Sequence, residues 1–90
     1  MIGVNAMIEQ EFRIIPEGNS WDCLDSMLKL GGRFRCNITF RQDNKVLNAK
    51  GFMWIGSLHL DRAFSVVYDG IDEQKAAHAY AEVLEMLKAS

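Results

Sequence analysis

Residues 34–58 read FRCNITFRQDNKVLNAKGFMWIGSL. Phe34, Cys36, Ile38 and Phe40 fall on one side of an extended chain, and Arg35, Asn37, Thr39 and Arg41 on the other. Period-two alternation of this kind marks a strand with one face buried and one in water. Asp43-Asn44 then supplies a tight reversal, since both residue types tolerate positive φ, into a second short strand over 45–48. The apolar run over 51–58 is read as a short helical segment.

The same reading extends outward. Over 8–14, Ile8, Gln10, Phe12 and Ile14 alternate with Glu9, Glu11 and Arg13, which predicts another half-buried strand. Pro16-Glu17-Gly18-Asn19-Ser20 is turn chemistry that ends in a favourable helix cap. Trp21, Leu24, Met27, Leu28 and Leu30 share one side of the helix that follows, and Gly31-Gly32 ends it. Residues 64–68 are β-branched and aromatic, hence a strand. Gly70-Ile71-Asp72 leads into a last helix whose positive end carries Asp72 and Glu73. Its apolar stripe is Ala76, Ala77, Tyr80, Val83, Leu84 and Leu87. The order strand, helix, strand, strand, short helix, strand, helix predicts an α+β fold: a four-stranded antiparallel sheet, helices on one face and water on the other.

Ninety residues, 49% of them hydrophobic, make one domain with one modest core. A formal net charge of −2 gives no general attraction to nucleic acid or an acidic membrane. No apolar run nears the ~20 residues that cross a bilayer. Residues 1–7 lack the basic-then-apolar layout of a secretory signal, so a cytoplasmic location is expected. Cys23 and Cys36 are too few for a disulfide framework and lack zinc-site spacing; two reduced, packed thiols are expected, with no metal and no cofactor.

The residues of the opening stretch resemble those of HPr, the histidine-containing phosphocarrier of the bacterial sugar phosphotransferase system. Asn48-Ala49-Lys50, Met53, Ile55, Ser57 and Leu58 match the family's asparagine-alanine-lysine-serine segment and the short helix after it. Gly70-Ile71-Asp72-Glu73 and Ala76 fit its final helix, and Glu11-Phe12 and Ile14 its first strand. The resemblance covers about residues 7–87 and needs only small deletions in two loops. It implies the HPr open-faced sandwich.

The same resemblance exposes two losses. HPr carries phosphate on a histidine that opens its first helix, within glycine-leucine-histidine-alanine-arginine-proline. Imidazole is nucleophilic near neutral pH, and helix-terminal amides with an arginine stabilise the phosphoryl group. Here Ser20 stands at the histidine position and Asp22 at the arginine position. A serine ester would hold phosphate too firmly to pass it on, and a helix cap is the ordinary role of such a serine. A carboxylate ~4 Å from phosphate would cost about 1–4 kcal/mol per unit charge. The second loss is regulatory. Gram-positive HPr proteins, and homologues that lack the histidine, keep a phosphorylatable serine after asparagine-alanine-lysine, and Gly51 replaces it here.

The resemblance also implies that the short helix, beside the start of helix one, docks protein partners. Trp21, Phe52, Met53 and Trp54 are therefore the candidate partner-binding residues. The competing expectation is that Trp21 and Trp54 fill core volume opened by the shortened loops, with Met53 and Ile55 divided between surface and core. His59 and His78 are the only histidines. Ordinary surface positions are expected for both, and the rival reading, an active phosphocarrier with a displaced site, would have to use one of them. Arg13, Arg35, Arg41 and Lys45 are candidates for a basic patch on the open sheet face. With little aromatic interleaving in an acidic chain, a solvated face is expected there and nucleic-acid binding is not. A small-molecule ligand is a third class, for which the sequence offers no pocket signature. The function expected is that of an HPr-like protein without phosphocarrier activity: not an enzyme, but a binding or regulatory module. Its partner would be a protein of the phosphotransferase system or a second, homologous copy.

Overall fold

The computed structural model describes residues 7–13 and 20–87, with side chains over 22–85 in the second range. The strand expected to reach Ile14, the turn before Ser20, and the side chains of Ser20, Trp21 and Leu87 lie outside the described residues.

Among the described residues four strands and two helices form, with one short 3-10 turn between the third and fourth strands. The strands are β1 (Ile8–Phe12), β2 (Asn37–Gln42), β3 (Lys45–Asn48) and β4 (Phe64–Asp69). The helices are α1 (Ser20–Gly31) and α2 (Glu73–Leu87), and the 3-10 turn is Met53–Gly56. The sheet order is β1-β4-β2-β3, antiparallel throughout. This is the α+β architecture that the alternation predicts. Asp43 and Asn44 take φ of 49° and 68°, the left-handed pair that a two-residue hairpin turn needs.

Directly opposed residues share a face, so register separates core from solvent. Phe40 pairs with Val66 and Ile38 with Tyr68, all four buried beneath the helices. The next row on the open face is Glu9, Val67, Thr39 and Asn48. α1 and α2 pack on each other, and α2 also rests on β1 and β4. Trp54, Tyr68, Tyr80, Phe40 and Phe64 are the largest fully buried side chains, joined by Met27 and Leu84. Phe40 stands at their centre, edge-on to Phe64 and Tyr80 as well as Trp54.

β2 begins later than the alternation suggests, and the cause is Asp72. Its carboxylate accepts the backbone N–H groups of Arg35 and Cys36, both at 2.8 Å, which takes those amides out of the sheet ladder. Asp72 therefore ties the approach to β2 to the start of α2, while Glu73 Oε1 accepts Gly70 N–H at 3.0 Å. The sequence places these acids correctly at the positive helix end but gives no sign of the first contact. Gln42, buried at the end of β2, is a second unforeseen brace. Its amide donates to the carbonyls of His59 and Ala63 and accepts the His59 N–H, which satisfies a buried polar side chain and fixes the loop before β4.

Gly31 closes α1 against the Asn48-Ala49-Lys50 segment. A Cβ there would lie 2.5 Å from the Ala49 carbonyl oxygen, a backbone atom with no freedom to retreat. Alanine would bring about 1 kcal/mol of helix propensity, yet overpacking against fixed backbone costs about 1–3 kcal/mol. Gly31→Ala is therefore expected to lower stability by about 1–2 kcal/mol, read as a lower urea midpoint with unchanged slope; a midpoint equal to or above that of the parent would refute the contact. The two amide hydrogen bonds hold the Asp72 carboxyl below its ordinary pKa, Arg35's being the larger effect. A depressed carboxylate contributes stability above its unfolded pKa and loses it as pH falls through the folded one. Asp72→Asn should flatten the acid limb of the stability–pH curve below about pH 4, while leaving neutral-pH stability reduced; an unchanged acid limb would argue against the clamp.

Candidate functional site

The 3-10 turn is held from within. Trp54 is 1% exposed and meets Phe40 with ring centroids 4.8 Å apart. The Ser57 and Leu58 amides both donate to its carbonyl at 2.9 Å, closing the turn behind it. Its Nε1 has no hydrogen-bond partner among the described residues. With Trp54 turned inward, the preceding residues point out: Phe52 is 71% and Met53 81% exposed, while Ile55 is half-buried against the core.

That geometry corrects one part of the candidate docking surface. Trp54 does not present its ring to solvent; it fills core volume, the competing expectation for it. The division between an outer Met53 and a partly inner Ile55 is as expected. Phe52 and Met53 are left as a neighbouring pair of exposed apolar side chains. The Trp21 side chain lies outside the described residues.

At the other end of the candidate site, Ser20 is the first residue of α1, and Asp22 is exposed in its first turn. Asp22 thus places a carboxylate beside helix-terminal amides, where negative charge is favoured but a second anion is repelled. Gly51 precedes the 3-10 turn with nothing within 4 Å of where a Cβ would be. Packing makes no demand for glycine there.

The remaining nucleophile candidates are dispersed. His59 is exposed, and its backbone is hydrogen-bonded to the Gln42 side chain and to the Arg62 N–H. His78 is exposed on α2, 3.9 Å from Glu82 one turn later. Cys23 and Cys36 are free and buried. Burial raises both thiols, Cys36 to about 11 with the Asp72 carboxylate adding to the effect, so neither is a thiolate at neutral pH. No group of three His, Cys, Asp or Glu side chains among the described residues could hold a metal ion. No helix among them is long and apolar enough to cross a membrane.

The basic sheet face does not assemble. Arg41 stands on that face, 3.9 Å from Glu9, which offsets it. Lys45 is paired with Gln42 and so leans toward the helix side; Arg35 precedes β2 and Arg13 follows β1.

No protein-family model matches the chain, and no curated protein sequence does. Solved structures do match. An HPr phosphocarrier protein from Bacillus anthracis superposes with a TM-score of 0.74 at 23% identity, over 89% of this chain and 99% of that one. The chain has the HPr fold. The HPr-C-His protein of Thermoanaerobacter tengcongensis agrees, with a TM-score of 0.70 at 22% identity over 89% and 91% of the two chains. So does Crh, the Bacillus subtilis catabolite repression protein, at 0.65 and 22% over 84% and 90%. That protein's crystal structure is an intertwined dimer with a swapped domain.

Proposed function

We propose that this protein is a non-catalytic HPr-fold module, linked to the cytoplasmic sugar phosphotransferase system, that acts by binding and carries no phosphate. The observation that carries the reading is the orientation of the 3-10 turn. Trp54 is anchored in the core, and its neighbours Phe52 and Met53 are both exposed. Two exposed apolar side chains, pre-positioned by a buried neighbour, lose little conformational entropy on docking and can act as anchors. Trp21, at the start of α1, is the third member of this surface in the proposal.

The chemistry at the former phosphate positions supports the negative half of the proposal. Ser20 offers no imidazole, Asp22 opposes an incoming phosphate, and Gly51 has no hydroxyl to modify. His59 is exposed in the loop before β4, and the neighbour of His78 on α2 is the carboxylate of Glu82, which opposes a phosphoryl group as Asp22 does. What remains of an HPr is a docking ridge without a group to transfer.

Such a module competes with a working HPr for shared partners. In excess, it should slow phosphate transfer from enzyme I to an active HPr, and Met53→Asp should weaken that inhibition about tenfold or more by placing a charge in the apolar contact. Uninhibited transfer at any excess of the parent protein would rule out enzyme I as a partner of this surface.

A further inference from the structure

The open face of the sheet carries a cleft of about 400 Å³, lined by Glu9, Arg41, Ser65 and Val46 with the Asp43-Asn44 turn at one end. Register explains the depression. Glu11, Ser65, Arg41 and Val46 form one row across the four strands, and Ser65 is the shortest side chain in it. Arg41 beside that half-buried serine, and Glu9 in the next row, rise as walls. The turn end is braced from behind. Asp43 meets Arg62 at 2.7 Å, and the Gln42 amide donates to the carbonyls of His59 and Ala63. A site braced in this way has less ordering to do when a ligand arrives.

Opposite charges face each other across the cleft. Arg41 Nη1 lies 3.9 Å from Glu9 Oε2, beyond the roughly 2.7–2.9 Å of a charge-assisted hydrogen bond. Both side chains are half-exposed, and a pair so placed contributes little to stability, so parting it costs little.

We propose that this cleft binds a free α-amino acid with an aliphatic side chain. The ligand's carboxylate accepts two hydrogen bonds from the Arg41 guanidinium, and its ammonium donates to the Glu9 carboxylate. The adjacent charges of the zwitterion sit between the two groups, and each gains the close contact that the 3.9 Å pair lacks. The Ser65 hydroxyl on the floor can accept from the ammonium or donate to the carboxylate. Val46, opposite Arg41 and 68% exposed, offers the aliphatic side chain an apolar surface. A lone anion such as phosphate would meet Glu9, and a lone amine would meet Arg41, so neither matches the pair. The cleft lies on the sheet face away from α1 and α2, and the proposal does not depend on docking through Phe52 and Met53.

The test is an amide-resolved NMR titration of the full chain with L-leucine, beside L-leucinamide, N-acetyl-L-leucine and inorganic phosphate. Leucine is expected to shift the amides of Glu9, Arg41, Val46 and Ser65, with a dissociation constant of roughly 1 mM. Leucinamide lacks the carboxylate and N-acetyl-leucine the ammonium, so each should bind about tenfold more weakly or worse. Glu9→Gln and Arg41→Gln should each weaken leucine binding to the same degree, while Met53→Asp leaves it unchanged. No shifts up to about 20 mM leucine would overturn the proposal. So would equal binding of phosphate or either derivative, unchanged affinity in either Gln variant, or loss of binding in Met53→Asp. No phosphotransferase component enters the assay, so its failure and a failed competition with HPr are separately visible.

Discussion

Trp54 meets Phe40 edge-on, and that contact decides which side chains of the 3-10 turn reach solvent. Phe40 is fixed by its own place in β2, opposite Val66, and by the rings of Phe64 and Tyr80. A turn with three residues per repeat that buries one side chain must expose its preceding neighbours. Phe52 and Met53 are thus exposed as a consequence of core packing. Removing the Trp54 ring would open a core cavity and free the turn together, so stability and the surface are coupled at this residue.

The sheet and both helices were legible because they obey simple periodicities. Alternation through Phe34–Phe40 marked the central strand, and the 76, 80, 83, 84 spacing marked α2. The resemblance carried by Asn48-Ala49-Lys50 and Met53 led to the same fold as the structural neighbours. What escaped were contacts between distant segments. Nothing local to Asp72 tells that its carboxylate reaches Arg35 and Cys36, or that Gln42 braces the 59–63 loop, because both depend on tertiary approach. In the run Phe52-Met53-Trp54-Ile55 every residue is apolar, so no pattern could say which one turns inward. Size offers the one retrospective signal: the largest ring fills the space above Phe40. The basic face failed for a related reason, since Lys45 sits opposite an inward residue and Arg41 meets Glu9.

Fold and chemistry separate cleanly in this chain. The fold rests on packing among Phe40, Trp54, Tyr68 and Tyr80, and a fold held in this way sets no chemistry at its surface. Gly51 shows this most plainly, since a side chain would meet nothing there. The start of α1 carries Asp22, while the exposed cations Arg33 and Arg35 stand past its end.

The central claim, that the fold persists without the carrier chemistry, is tested most directly by incubating the protein with phosphoenolpyruvate and enzyme I. Intact mass would be read under mildly alkaline conditions that preserve phosphohistidine. The account predicts no change in mass while an active HPr in the same reaction gains one phosphate. A gain of one phosphate on this chain, located at His59 or His78, would contradict it and restore the carrier reading.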